Sequence, residues 1–249
     1  MPRTSEPPLP RIIIEGVRKT YTLRHTHSFK ETFVAWLRRK KVSTSFDALQ
    51  HIDLTVGESE AVALLGYNGS GKSTLLKLVS GVLRPDRGRV LTRGRVAGLI
   101  EVGAGFHPDL SGRENVYLNA AILGMSKTEI DARFDEIVEF SEIGEFIDTE
   151  VKHYSSGMFV RLAFSVAIHT ELDILLVDEV LAVGDAPFRE KCKAKIRELV
   201  AAGKTLFIVS HDLSMVAELC SRGLVLRRGE LVYDGAIDDA IDQLKAITR

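Results

Sequence analysis

Hydrophobic positions recur along this chain with two periods, and the changes of period divide it into elements. RIIIEGVRKTY (11–21) reads as a β-strand running into a turn. In SFKETFVAWLRRKK (28–41), Phe29, Phe33, Trp36 and Leu37 fall at i, i+4, i+7 and i+8, one face of a helix. Ser28 and Glu31 have capping-box spacing, and Arg38 to Lys41 put positive charge at the helix C-terminus. FDALQHIDLTV (46–56) and ESEAVALLG (58–66) follow as strands, and GSGKSTLLKLVSGVL (69–83) as a loop entering a helix. GRVLTRGRVAGLI (88–100) predicts short strands around a turn, and residues from about 108 to 150 are mostly helical. In HYSSGMFVRLAFSVAIH (153–169), a small polar cluster caps another helix. DILLVDE (173–179) and KTLFIVSHD (204–212) are short, continuously apolar runs, the pattern of buried parallel strands. FREKCKAKIRELVAAG (188–203) is a helix with a terminating glycine, and LSMVAELC (213–220) another helix. RGLVLRRGELVYDG (222–235) is a hairpin around Arg228-Gly229, and AIDDAIDQLKAI (236–247) a final helix. Strands alternate with helices at both ends of the chain around a helical block, which implies an α/β core with a parallel sheet and a helical subdomain.

Composition narrows the classes. Of 249 residues, 45% are hydrophobic and 27% charged, as in ordinary globular chains. With 33 Lys+Arg against 34 Asp+Glu, bulk charge does not point to a nucleic-acid partner. Cys192 and Cys220 lack metal-ligand or disulfide-framework spacing, so reduced thiols are expected. No apolar run approaches the ~18 residues of a membrane span, and MPRTSEPPLPR lacks a signal-peptide apolar region. These features place the chain in the cytosol or on the cytosolic face of a membrane through a partner, with residues 1–10 as a mobile tail.

Three motifs carry chemistry. GYNGSGKST (66–74) fits G-x-x-x-x-G-K-[ST] between a strand and a helix. Its glycines let Gly66, Asn68, Gly69, Ser70 and Gly71 turn backbone N–H groups toward phosphate oxygens, and the helix that opens at Lys72-Ser73-Thr74 adds its N-terminus. Lys72 can reach the β- and γ-phosphates, and the Ser73 hydroxyl can ligate Mg²⁺. ILLVDE (174–179) ends a buried strand with Asp178, placed to hold Mg²⁺, and Glu179, placed to act as general base toward water. VSHD (209–212) ends the next apolar strand and puts His211 over the γ-phosphate.

The order of P-loop, helical block, small-residue turn, apolar strand ending Asp-Glu and strand-end His resembles the ATP-binding subunit of ABC transporters over about residues 11–235. The resemblance implies a P-loop NTPase core with a mainly parallel sheet, an N-terminal antiparallel β subdomain and an inserted helical subdomain over about 103–165. Residues 236–249 would be a C-terminal helix. ATP and Mg²⁺ are the implied ligands. The turn Ser155-Ser156-Gly157 corresponds to the family's signature motif, which binds the γ-phosphate held on the P-loop of a second subunit. Its Tyr154–Met158 departs from Leu-Ser-Gly-Gly-Gln at Ser156 and Met158. AVGD (182–185) resembles the D-loop, with Asp185 near the dimer interface. Glu101 stands near the family's Q-loop glutamine as a further Mg²⁺ ligand, and Tyr21 where an aromatic residue stacks on adenine.

EVGAGFHPDLSGREN, YSSGMFVRLAFSVA and VDEVLAVGD together resemble a narrower group, the exporters of lipid-linked polysaccharides: O-antigen, teichoic-acid and mycobacterial galactan systems. The amphipathic insert 28–41 resembles that group's gate helix. Many O-antigen members carry a C-terminal sugar-binding domain. A chain stopping at Arg249 leans toward galactan or teichoic-acid export, or toward an O-antigen system that needs no terminal cap. The implied partners are a second copy of this chain, an integral-membrane permease dimer at the cytoplasmic membrane and, through it, the lipid-linked polysaccharide, with no nucleic acid. The alternatives are an ABC importer subunit, and a soluble ABC ATPase, which would bring a tandem second core or a long coiled coil.

Overall fold

A computed structural model of the protein describes residues 9–24, 43–99, 103–178 and 184–247. Two sheets organise it. The first is antiparallel, ordered β2-β1-β4, from β1 (Ile12–Arg24), β2 (Ser43–Val56) and β4 (Arg87–Thr92). The second runs β5-β6-β7-β3-β8-β9. Its strands are β3 (Ala61–Gly66), β5 (Val96–Gly98), β6 (Ile174–Val177), β7 (Thr205–Ile208), β8 (Arg222–Arg227) and β9 (Glu230–Ala236). All of its pairings are parallel except the β8–β9 hairpin.

β3 is buried along its whole length, and its alternation feeds two cores. Ala61, Ala63 and Leu65 face one that also takes Phe164, Phe188, Ile196 and Val216. These come from α4 (Ser156–His169), α5 (Ala186–Ala201) and α6 (Leu213–Leu219), and α7 (Ile237–Ala246) adds Ile241. Val62 and Leu64 face the other, where α1 (Lys72–Val79) contributes Leu75, Leu76 and Val79. The antiparallel sheet supplies Ile14, Leu49 and Ile52 to the same core, so α1 lies between the two sheets. A third cluster joins α2 (Gly112–Ile122), α3 (Lys127–Ser141) and the outer face of α4 through Val116, Phe134, Ile137 and Leu162. Capping boxes open α2 at Ser111/Glu114 and α3 at Ser126/Glu129, which stop both helices from fraying at their N-termini.

The fold differs from the sequence-based expectation in two places. β1 does not turn at Tyr21. It continues to Arg24 against the start of β2, with Tyr21 opposite Phe46 and the two rings stacked at 5.6 Å. β4 and β5 do not form one hairpin but belong to different sheets. The crossing passes Gly94, whose φ of 107° suits glycine and where a Cβ would strike the Asp173 carboxylate. That carboxylate accepts the Arg95 N–H at 2.8 Å and fixes the chain's entry into β5. The amphipathic segment 28–41, Glu101 and Glu179 lie outside the described residues. Among the described residues, no helix is long and apolar enough to cross a membrane. Cys192 and Cys220 are free and buried, and burial pushes both thiols up to about 12.

Candidate active site

β3 ends at Gly66, and Tyr67–Gly71 carry the chain into α1. Gly71 has a φ of 112°, and a Cβ there would sit 2.5 Å from the Ala48 carbonyl oxygen. That oxygen reaches the loop because β2 bulges: Lys19 pairs with Leu49 but Thr20 with Asp47, which leaves Ala48 as the extra residue. The tip of the β8–β9 hairpin grips the loop from behind. The Gly229 N–H donates to the Ser70 carbonyl at 2.8 Å, and the Gln50 N–H to the Gly229 carbonyl at 2.7 Å. Gly229 also has positive φ, 83°, and its Cβ would lie 2.8 Å from the same Ala48 oxygen.

Lys72 is 7% exposed, and its ammonium donates to the carbonyls of Gly66 at 2.7 Å and Tyr67 at 3.2 Å. These bonds hold the charge at the mouth of the loop rather than out in solvent. Gly71 gives α1 no side-chain cap, and its first turn has no acidic residue, so its N–H groups and dipole are left to an anion. Ser70 Oγ is buried with no hydrogen-bond partner among the described residues. The Tyr67 hydroxyl donates 2.8 Å to the Leu244 carbonyl, which joins the loop to α7.

Parallel pairing in the order β6-β7-β3 brings the C-terminal ends of these strands to one edge. Asp178 follows β6 there, and His211 lies beyond β7, between Asp178 and the P-loop. The Val209 N–H donates to the Val177 carbonyl at 2.8 Å, which extends the pairing to this rim. Asp212 then caps α6 by accepting the Met215 N–H at 3.1 Å, which fixes the backbone beside His211. The described residues contain no cluster of three or more His, Cys, Asp or Glu able to hold a metal. Ser73 and Asp178 offer oxygen donors that suit Mg²⁺ only if phosphate oxygens share the coordination, which is the usual regime for that ion at nucleotide sites. The residues present therefore fit a nucleoside triphosphate with its Mg²⁺.

The turn Ser155-Ser156-Gly157 stands apart, at the N-terminus of α4. Ser155 caps the helix by accepting the Met158 N–H at 3.2 Å, and both serines are exposed. Behind it, Arg161 donates to Asp185 and to Glu142, both at 2.7 Å, and stacks 4.8 Å from the Phe188 ring. Asp185 also caps α5 by accepting the Phe188 N–H at 3.3 Å. Its carboxylate is therefore committed within its own chain. Lys191 pairs with Glu142 at 3.0 Å and, together with Arg161, holds that carboxyl below its usual range against the opposing effect of burial. Arg161, Tyr67, Ala48 and Gly229 escaped sequence reasoning. Only Arg161 leaves a local signal, as a charge at the head of an otherwise apolar helix.

Phe159 packs edge-on against Phe106 at 5.2 Å and fills the space beside Gly103. Next to it lies an apolar groove of about 300 Å³ lined by Val82, Val96, Ala104, Ile122 and Ala163. Val82 and Ile122 are 67% and 60% exposed.

The family model for ABC transporters matches residues 49–182. The chain belongs to the ABC transporter family. It is 47% identical to the ABC transporter protein AbcA of Aeromonas salmonicida over 91% of its own length and 73% of that protein's. It is 45% identical to the O-antigen export system ATP-binding protein RfbB of Myxococcus xanthus, over 88% of this chain and 51% of the relative. The teichoic acids export ATP-binding protein TagH of Shouchella clausii is 39% identical, over 94% of this chain and 65% of the relative. The chain thus spans from about half to three quarters of these ABC relatives. The ATP-binding cassette MJ0796, solved as a dimer with ADP and phosphate, shares the fold at a TM-score of 0.70 and 23% identity, over 91% of this chain and 98% of that one.

Proposed function

We propose that this ABC family chain is the ATP-hydrolysing subunit of an exporter that drives a lipid-linked polysaccharide across the cytoplasmic membrane. The observation that carries the ATPase reading is the shared strand edge that presents the P-loop, Asp178 and His211 while the Ser155-Ser156-Gly157 turn stays open elsewhere on the chain. The relatives' names support the cargo class.

In this reading the loop N–H groups and Lys72 hold the triphosphate, and Ser73 and Asp178 hold Mg²⁺, which when bound neutralises charge on the phosphates. Tyr21, half-buried on β1 beside the exposed Phe46, takes the adenine. His211 hydrogen-bonds the γ-phosphate, and Glu179 takes the proton of the attacking water. Two copies close head to tail, so that each turn at 155–157 presents hydroxyl and N–H donors to the nucleotide on its partner's P-loop. Asp185, held by Arg161, keeps the D-loop in register with that turn. The apolar groove beside Gly103 receives the permease, which anchors the subunit to the cytoplasmic face of the membrane, and Glu101, two residues earlier in the sequence, is a further ligand for Mg²⁺.

Glu179→Gln is expected to cut phosphate release to near zero while ATP-dependent dimers persist in size-exclusion chromatography. Undiminished turnover would refute the base assignment. Copurification with the membrane partner, followed by an ATPase assay with candidate lipid-linked glycans, tests the cargo. A complex stimulated by no such glycan would remove the polysaccharide reading and leave the ATPase reading standing.

A further inference from the structure

A polar cavity of about 510 Å³ opens at the other edge of the parallel sheet, where strands begin rather than end. Arg95 precedes β5, Asp173 precedes β6 and Lys204 precedes β7, and all three line it. Arg133 from α3 and Lys195 from α5 complete a set of four cations against two acids, Asp173 and Glu171. Those acids compensate the cations only in part. Asp173 is engaged by the Arg95 N–H at 2.8 Å and by Arg11 at 3.5 Å. Glu171 is shared between Arg95 and Arg133 at 3.6 Å each. Arg95 has a closer partner in Glu129 at 3.0 Å, and Lys195 in Glu198 at 3.0 Å. Arg133 has only its 3.6 Å contact, and Lys204 Nζ has no partner among the described residues.

Cations often gather at helix C-termini to meet open carbonyls, and α4 and α5 both end here. The α5 carbonyls next to Lys204, and some of those at the end of α4, are already bonded. Those of Glu198, Val200 and Leu199 accept the N–H groups of Ala202, Gly203 and Lys204 at 2.9–3.0 Å. In α4, Ser165 and Ala167 carbonyls accept from His169 and Thr170 at 2.7 and 2.8 Å. Lys204 thus follows α5 carbonyls that are already met, and Arg133 lies in the middle of α3, so capping of their own helices does not account for these two charges.

His169 supplies the selective element. It is 6% exposed and lines the cavity. Because a carbonyl only accepts, its 2.7 Å contact with the Ser165 oxygen requires the proton on Nδ1. In the neutral ring Nε2 is then an acceptor. It has no hydrogen-bond partner among the described residues, yet it is not among the polar atoms sealed from solvent. Burial first, and then the nearby cations Lys195 and Arg133, hold the ring's pKa below its ordinary value against the Ser165 bond and Glu136, which keeps it an acceptor near neutrality. Cations paired with one acceptor favour an anion that brings its own proton donor. Hydrogenphosphate does so through its own P–OH, and a sugar phosphomonoester, chiefly the dianion near neutrality, does so through a sugar hydroxyl, whereas sulfate does not. The volume lies within the ~300–1,000 Å³ typical of small-molecule pockets, well beyond a bare anion.

We propose that this cavity binds a phosphomonoester of about monosaccharide size, its anionic oxygens on Arg133 and Lys204 and its hydroxyl donor on His169 Nε2. The site is independent of the P-loop and does not rest on the export reading.

The test titrates the full chain, with Mg·ADP saturating the P-loop, with glucose 1-phosphate, inorganic phosphate and sulfate, read by calorimetry and by the His169 ring resonances. Glucose 1-phosphate is expected to bind saturably, inorganic phosphate more weakly, and sulfate at least about tenfold more weakly than phosphate, the scale of one lost charge-assisted hydrogen bond. Lys204→Ala and Arg133→Gln should each weaken binding about tenfold or more, while Lys72→Ala leaves it intact. His169→Asn should erase the phosphate-over-sulfate preference, and should it fail to fold, the Lys204 and Arg133 variants decide alone. Equal affinity for phosphate and its ester would overturn the ester and leave the free anion as ligand. No saturable binding by about 10 mM, sulfate equal to phosphate, indifference to Lys204 and Arg133, or loss in Lys72→Ala would overturn the site.

Discussion

Around the P-loop, backbone from β2 and from the β8–β9 hairpin comes so close that a single added methyl group would collide with it. Around the turn at Ser155-Ser156-Gly157 the surroundings are open, and a Cβ built on Gly157 meets nothing nearer than the Ser155 hydroxyl at 3.8 Å. Both segments open a helix and both offer N–H groups to an anion, yet one is enclosed by its own chain and the other is not. The difference teaches which half of the proposed composite site a single subunit would complete. The P-loop is held by contacts within its own chain, whereas the turn is held by one cap and by the Arg161 network behind it, with its serines exposed at the front.

The comparison can be broken by methyl groups. Gly71→Ala must adopt positive φ and push against the Ala48 carbonyl, so ATP affinity is expected to fall at least about 100-fold, the ~3 kcal/mol or so that such strain and overlap cost together. A nucleotide titration checks this, and near-native affinity would mean that the enclosure is looser than described. Gly157→Ala should do the opposite to stability. Alanine in a helical turn gains roughly 0.5–1 kcal/mol over glycine, so the melting temperature holds or rises and ATP binding to the monomer is unchanged. On the proposed closure, in which that surface meets a partner's nucleotide, turnover is expected to drop about tenfold or more. A turnover loss accompanied by weakened monomer binding would blur the contrast. The smallest effect is expected at Tyr67→Phe. Losing its bond to the Leu244 carbonyl removes about 0.5–1.5 kcal/mol of loop positioning and raises KM for ATP by at most about tenfold with kcat unchanged. Steady-state kinetics separate the two parameters, and a fall in kcat alone would assign Tyr67 a role other than holding the loop.

What the sequence made legible follows from the range of its signals. Gly66–Thr74, Asp178 and His211 sit at the ends of apolar runs, and local pattern was enough to place them on one sheet edge. The continuation of β1 past Tyr21 depended on Phe46 and Ser45 lying opposite, which polar residues around Thr22 do not announce. The start of α5 at Ala186 depended on Asp185 acting as cap, where the apolar period alone begins at Phe188. The Ala48 bulge and the Gly229 clamp have no local trace, because each is defined by contact with a residue far away in the chain. Asp185 was legible as a polar residue of interest, but its bond to Arg161 emerges only when α4 and α5 pack side by side.

The grip of Gly229 on the Ser70 carbonyl also has a consequence for synthesis. A nascent chain releases its P-loop long before the hairpin that braces it has been translated. Until β8 and β9 dock beside β3, the loop lacks its rear wall, and ATP in the cell meets no finished cradle. This hairpin thereby serves as a checkpoint in synthesis: nucleotide binding becomes available only to a chain that has been translated through β9.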